Sequence, residues 1–123
     1  MTATRKVDFT RDDEVFTGAD RTLRFTVLDS ASAAVNITGW ALSWALYQKA
    51  APAGQGTLVS KTTVSGITLT TPSSGIADVA LADTDTDDLK GDADYYYELR
   101  RTDAGSEDVL ACGSFHLCQS AKR

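Results

Sequence analysis

The stretch from Asn36 to Lys49 reads NITGWALSWALYQK, and its apolar residues fit two secondary structures. In a strand, alternate residues share a face, so its two tryptophans and two leucines lie together on one side. In a helix, Trp40 lies over Trp44, four residues on, and the alanines favour that conformation. Periodicity does not separate the two structures in a run this short, so the flanking sequence has to decide.

The flanking segments alternate with a period of two and are separated by turn residues. The segment RTLRFTVLD, Arg21–Asp29, puts its apolar side chains on one face and its threonines on the other, and IADVALA after the TPSSG turn repeats this alternation. The rhythm is typical of an all-β sandwich or barrel. An isolated helix would leave neighbouring strands with unpaired edges, and Gly39 is an unusual helix start. We therefore predict a core strand at residues 40–47 with both tryptophans in the interior. An α+β fold is the alternative.

The C-terminal third predicts a β-hairpin preceded by a polar connection. The segments YYYELRRTD and EDVLACGSFHLC flank a turn at Asp103–Gly105. Alternation places Val109 on the same face as Phe115 and Leu117. Residues 83–92 are polar and predict a connection or a single helical turn that docks Leu89.

The length of 123 residues fits one domain. We expect the sandwich to occupy residues 14–119. Residues 1–13 form an N-terminal arm or an edge strand through Val7 and Phe9, and residues 120–123 form a C-terminal tail.

Charge and hydropathy exclude several classes of partner. With 17 acidic against 12 basic residues the net charge is −5. Such a chain lacks the basic face that binding to nucleic acid or to an anionic membrane requires. No run of about 18 apolar residues is present to span a bilayer, and the N-terminus lacks the apolar core of a secretory signal. We expect synthesis in a cytoplasm.

The reactive side chains match no catalytic or metal-binding signature. His116 shares a strand face with Cys112, Ser114 and Cys118, but side chains in a row along one strand do not converge on one atom. The carboxylates of Asp83–Asp88 resemble the start of a calcium loop that lacks its glycine and its glutamate. We therefore expect no metal, no cofactor and no enzymatic activity.

The two cysteines are six residues apart and cannot bridge each other on one strand. Along a strand their Cα atoms would be about 20 Å apart, whereas a disulfide tolerates about 7 Å. We expect Cys112 and Cys118 to be reduced thiols, or else to form disulfides between subunits of an assembly.

The tyrosine run gives a candidate contact surface. Alternation sends Tyr95 and Tyr97 to one face and Tyr96 to the other, where an exposed tyrosine suits a protein interface or the stacking of a sugar ring. The candidate partner-binding residues are Tyr96 and Arg100 on this strand, with Val7, Phe9 and Arg11 in the N-terminal segment.

The order of several short motifs resembles one known family. FTRDDEVF, LRFTVLDS and VNITGW are followed by GITLTTPSSGIADVALADTDTDDL and DYYYELRRTDAGSEDVLACGSFHL. Together, over roughly residues 8–118, they resemble the N-terminal immunoglobulin-like domain of phage baseplate upper proteins and related single-domain prophage proteins. The resemblance implies an immunoglobulin-like antiparallel β-sandwich of about seven to eight strands.

The resemblance also implies a non-enzymatic structural role in a tailed phage particle. Baseplate upper proteins continue into long helical segments, whereas this sequence stops at Arg123. We therefore expect a capsid-decorating, neck or tail accessory protein, made in the host bacterial cytoplasm and repeated by the symmetry of the virion. A baseplate adaptor, or a carbohydrate- or receptor-binding module of the virion, is the alternative.

Overall fold

The computed structural model describes residues 6–9, for which it describes the backbone alone, 15–48 and 57–119. Over these residues the chain forms nine strands, counting the two-residue β2, with one short α-helix and one 3-10 turn at Pro72–Ser74. The elements are β1 Lys6–Phe9, β2 Val15–Phe16, β3 Arg21–Leu28, β4 Leu42–Gln48, β5 Thr57–Thr62, β6 Ile67–Thr71, β7 Ile76–Leu81, α1 Asp83–Thr86, β8 Ala93–Arg101 and β9 Asp108–Cys118. Arg11 and residues 120–123 lie outside the described residues.

The strands form two sheets in a sandwich-like β fold, which confirms the predicted β class. One sheet has the order β1-β3-β7-β6 and the other has the order β2-β9-β8-β4-β5. The hairpin predicted around Asp103 is present, because β8 pairs antiparallel with β9 along most of its length. Two sheets that pack face to face bury alternate residues of each strand, as the period of two indicated.

The prediction of a purely antiparallel sandwich is wrong at one edge. β2 runs parallel to β9, with Val15 beside Leu117 and Phe16 beside Cys118. The backbone N–H of Thr17 continues this contact by donating to the carbonyl of Cys118 at 2.9 Å. Because β1 belongs to the four-stranded sheet, the chain changes sheets before β2 and meets β9 running in the same direction.

An aromatic cluster fills the centre of the core. Trp44 is fully buried and lies 6.0 Å from Phe115 and 6.5 Å from Tyr97 between ring centroids. Phe25, from the opposite sheet, approaches Tyr97 at 6.1 Å. These contacts join the two sheets through the residues that the alternation of β3, β4, β8 and β9 turns inward.

The opening stretch is a strand, but it begins two residues later than predicted. Gly39 has a φ of +80°, in the left-handed region that favours glycine, and forms a turn with Thr38. The side chain of Asn36 stabilises this turn by accepting a hydrogen bond from the Thr38 N–H at 3.0 Å. The strand therefore starts at Leu42. Trp40 lies before it and is half-buried, so the prediction that both tryptophans are interior is wrong for Trp40.

The alternation of β9 is interrupted by a β-bulge. Leu99 pairs with Ala111 but Arg100 pairs with Val109, so Leu110 is an extra residue on β9. Leu110 is buried, whereas Val109 is 38% exposed. The prediction that Val109 shares the face of Phe115 is therefore wrong, because the inserted residue reverses the direction of the side chains before it.

The polar connection contains the predicted helical turn, and Leu89 packs against the core. Asp85 accepts a hydrogen bond from the backbone N–H of Ala82 at 2.7 Å and forms an ion pair with Lys61 at 2.7 Å. The hydroxyl of the buried Thr86 accepts from the N–H of Gly18 at 3.0 Å. These acidic and hydroxyl groups serve as local caps and cross-links.

Candidate functional site

The outer face of the five-stranded sheet carries most of the candidate residues. Cross-strand pairing places the outward side chains of β9, β8 and β4 in rows, because directly opposite residues point to the same side. We call this surface the tyrosine face; it consists of Ser43, Ala45, Tyr47, Asp94, Tyr96, Glu98, Arg100, Val109, Cys112, Ser114 and His116.

Two tyrosines from adjacent strands form the centre of the tyrosine face. Tyr47 on β4 is directly opposite Tyr96 on β8, and Ser114 on β9 continues the row. Both tyrosines are half-buried, so each ring covers its neighbours and still presents surface to solvent. The predicted split of the tyrosine run is confirmed, since Tyr95 and Tyr97 are buried.

A hydrogen bond links Tyr96 to Cys112, its diagonal neighbour on β9. This bond is the largest cause that raises the pKa of Tyr96 to about 12, with burial and the charges of Cys112 and Glu98 adding to it. The phenol therefore remains a neutral donor at physiological pH. The thiol of Cys112 is exposed and that of Cys118 is partly exposed, and neither forms a disulfide within the chain. They lie on one uninterrupted strand, as the spacing predicted.

The ionisable groups of the tyrosine face contact each other. Arg100 donates from Nη1 to the Glu98 carboxylate at 3.4 Å. Nδ1 of His116 lies 2.7 Å from the carboxylate of Asp94. Contacts of this kind at the surface are weak, about 0–1 kcal/mol each, and they are open to replacement by groups of a partner.

The outer face of the four-stranded sheet differs in composition and satisfies its own charges. Arg24 donates to Asp78 from Nε at 2.9 Å and from Nη2 at 3.0 Å. Thr70 donates to the same carboxylate at 2.7 Å. The hydrogen bond from Arg24 is the largest cause that lowers the pKa of Asp78 below its usual value. This bidentate pair lies among exposed threonines, a surface with no described aromatic side chain.

The structure brings together only part of the predicted contact set. Tyr96, Arg100 and Cys112 share the tyrosine face, and Cys118 continues it toward the exposed Phe16 at the edge. Val7 and Phe9 belong to β1, the edge strand of the other sheet. Arg11 lies outside the described residues. Among the described residues, the sequence-based set missed Tyr47, although its alternation with Trp44 and Leu46 was the available signal.

A second site, at one end of the sandwich, was not predicted. A cleft of about 220 Å³ is lined by residues 105–107 of the β8–β9 loop, by Asp108 at the start of β9, and by Trp40, Arg101 and Leu110. The guanidinium carbon of Arg101 lies 3.8 Å from the centroid of the Trp40 ring. We call this site the Trp40 cleft. A tryptophan just before a strand and an arginine just before a turn gave no sign that they would meet.

Asp103 holds Arg101 in place beside the Trp40 cleft. Its carboxylate accepts from Nε of Arg101 at 2.8 Å and from the N–H of Ala41 at 2.9 Å. These two bonds, the one from Arg101 being the larger cause, lower the pKa of Asp103 below its usual value. The guanidinium is thus fixed by a ring on one side and a carboxylate at its edge.

Within residues 15–48 and 57–119, no three His, Cys, Asp or Glu side chains group as they would around a metal ion. The carboxylate of Asp85 pairs with Lys61 instead, and the backbone N–H of Asp83 donates to the carboxylate of Asp20 at 2.7 Å. The helices in the described part of the chain are too short to cross a membrane.

Comparison with the models of known protein families and with curated proteins gives no match. The function therefore has to be argued from the surfaces described above, and the resemblance to phage baseplate domains stays a prediction.

Proposed function

We propose that this chain is an immunoglobulin-like structural domain of a tailed-phage particle, and that it docks onto other virion proteins through the tyrosine face. The observation that carries the proposal is the pairing of Tyr47 with Tyr96 on the solvent side of a sheet that also presents Arg100 and Val109. The order of motifs along the sequence supports the assignment to a virion.

The composition of the tyrosine face suits contact with a protein. Tyrosine and arginine are enriched at protein interfaces, where they combine a large apolar area with a polar tip. The two rings are supported from below by β4 and β8, so little side-chain entropy is lost when a partner covers them. Val109, turned outward by the bulge, and Phe16 at the edge add apolar surface.

The contrast between the two outer faces favours one docking side. On the four-stranded sheet, Arg24 is bound bidentately by Asp78, so covering it would desolvate a pair that is already satisfied. On the tyrosine face, Arg100 reaches Glu98 by a single long hydrogen bond and its side chain is 41% exposed. A partner carboxylate can therefore replace that contact at small cost.

Docking of this kind suits a protein used in many copies. A capsid, neck or tail repeats the same binding surface by symmetry, so each copy needs only one modest interface. The chain is made in the host cytoplasm and joins the particle there. A decorating protein of the capsid and an accessory protein of the neck or tail are both compatible with the tyrosine face. A baseplate adaptor is the alternative, for which the described residues offer no separate surface.

The test is incorporation into particles released by the strain that encodes the chain. We expect the protein to co-sediment with purified particles in a fixed ratio to the major capsid protein, as measured by quantitative mass spectrometry. Tyr96→Ala with Arg100→Ala should lower that ratio at least about tenfold, as hot-spot truncation does.

The control is Thr22→Ala with Arg24→Ala, which removes a hydroxyl side chain and an arginine from the outer face of the opposite sheet. This variant should enter particles as the wild type does. Absence of the protein from particles would overturn the assignment to a virion. Equal incorporation of the two double variants would overturn the choice of the tyrosine face.

A further inference from the structure

We propose that the Trp40 cleft binds a single neutral sugar residue. The inference goes beyond docking to virion proteins, because it concerns a different surface, at the end of the sandwich. It rests on the size of the cleft, on the fixed guanidinium of Arg101 and on the mixture of charges around it.

The volume of the cleft selects a small ligand. At about 220 Å³ it falls below the range of roughly 300–1,000 Å³ in which drug-sized molecules bind. One sugar ring matches this scale. The part of the Trp40 indole that Arg101 leaves uncovered and the side chain of Leu110 supply an apolar wall for the C–H groups of such a ring. Loops at the end of a rigid scaffold are also where binding residues concentrate.

Arg101 is a preorganised donor at this wall. Its Nε is bonded to Asp103 and its plane is stacked on Trp40, so the guanidinium has little freedom left to lose. Within the described residues, its terminal Nη1 and Nη2 groups have no hydrogen-bond acceptor. Two parallel N–H groups in a fixed fork match two adjacent hydroxyl oxygens of a sugar.

The loop between β8 and β9 and the start of β9 supply acceptors. Glu107 and Asp108 contribute carboxylates, and Ser106 contributes a hydroxyl that both donates and accepts. Because Asp103 already balances the charge of Arg101, these carboxylates leave the lining net negative and repel an anionic ligand. A neutral polyol is not repelled, and its hydroxyls donate to a carboxylate or accept from the guanidinium. The charge pattern therefore favours a neutral sugar over an anion.

The experiment compares a neutral sugar ring with its anionic form. Saturation-transfer difference NMR of the purified protein is recorded with D-glucose and D-glucuronate, and then with neutral D-galactose, L-rhamnose and N-acetyl-D-glucosamine. We expect saturable transfer from at least one neutral sugar. The uronate should bind more weakly than glucose.

Two variants locate the binding. Glu107→Ala and Trp40→Phe should each weaken the affinity for the sugar that binds, Glu107→Ala by about tenfold, as loss of a charged acceptor does. Glu98→Ala, which removes the same side chain from the tyrosine face, is the matched control and should leave the affinity unchanged. Far-ultraviolet circular dichroism confirms that each variant is folded.

Three outcomes would overturn the inference. They are no saturable transfer from any neutral sugar, binding that is unaffected by Glu107→Ala and Trp40→Phe, and tighter binding of glucuronate than of glucose. Incorporation into particles is measured separately and depends on Tyr96 and Arg100. Failure of sugar binding therefore leaves the docking proposal standing, and the reverse holds as well.

Discussion

Tyr96 and Cys112 are hydrogen-bonded diagonally across the β8–β9 pair, and this bond is the largest cause that raises the pKa of the phenol to about 12. The folded protein thus holds the phenol proton more tightly than the unfolded chain, in which tyrosine titrates near about 10. The stabilisation is complete below that unfolded value and is lost as the pH rises through the folded pKa.

The first prediction concerns this alkaline range. We expect Cys112→Ala to lower the pKa of Tyr96 toward its unfolded value, so that less unfolding free energy is lost above about pH 10 than in the wild type. Ultraviolet absorbance of tyrosinate and urea unfolding measure the two quantities. Tyr96→Phe is the control, since it removes the titration. Identical profiles for the wild type and Cys112→Ala would show that the thiol is not the cause.

The second prediction concerns acid stability. Because Arg24 lowers the pKa of Asp78, this carboxylate stabilises the fold above its unfolded pKa of about 4, and the contribution is lost as the pH falls through the folded value. Asp78→Asn should therefore make unfolding free energy depend less on pH in the acid range. Asp88→Asn removes an exposed carboxylate after α1 and serves as the control. An unchanged slope in Asp78→Asn would contradict the prediction.

The third prediction tests the stacking of Arg101 on Trp40. Arg101→Ala should lower the unfolding free energy by about 1 kcal/mol, because it removes a cation–π contact and the cover of an aromatic ring. Urea denaturation measures the change. Arg100→Ala, one residue earlier on the same strand and facing solvent, should cost less. Equal effects of the two substitutions would show that the stack does not stabilise the fold.

The fourth prediction separates the two tryptophans. Trp44 is fully buried and Trp40 is half-buried, so acrylamide should quench two populations of indole emission unequally. Trp40→Phe should remove the accessible population. In the described part of the chain, Nε1 of Trp44 has no hydrogen-bond partner. Trp44→Phe removes this buried N–H together with part of the ring. We therefore expect it to lower the unfolding free energy by less than the roughly 3–5 kcal/mol of a Trp→Ala truncation. A single quenching population would contradict this placement.

The fifth prediction concerns the thiols. Cys112 is more exposed than Cys118, so oxidised glutathione should link two copies of the chain mainly through Cys112, with glutathione reduced in exchange. Non-reducing electrophoresis should show a dimer band that Cys112→Ser abolishes and Cys118→Ser retains. The opposite pattern would assign the intersubunit disulfide to Cys118.

The sequence predicts the interior of this fold better than its ends. β4 pairs with a strand on each side and turns one face toward the core. Its residues Leu42, Trp44 and Leu46 lie on that face with a period of two, so the alternation in the sequence predicts their burial directly. Trp40 departs from the pattern because the turn at Gly39 delays the start of β4 and because Arg101, about sixty positions away, stacks on its ring. No local pattern encodes such a contact.

The sequence does not reveal the β-bulge on β9 or the parallel pairing of β2 with β9, for a related reason. Leu110 and Val109 are both apolar, so the sequence gives no sign of which one the partner strand leaves unpaired. β2 has two residues, too few to show a period, and its direction is fixed by the change of sheet before it. The Trp40 cleft could not be predicted either, since Leu110, the extra residue of the bulge, forms part of its wall.

The extra residue on β9 also limits how the sequence around the β-bulge can change during evolution. Val109 and Leu110 are consecutive, yet one belongs to the tyrosine face and the other to the Trp40 cleft. An insertion or deletion next to them during evolution would rotate both side chains at once. Natural variants should therefore preserve the length of this segment or change the two surfaces in the same step.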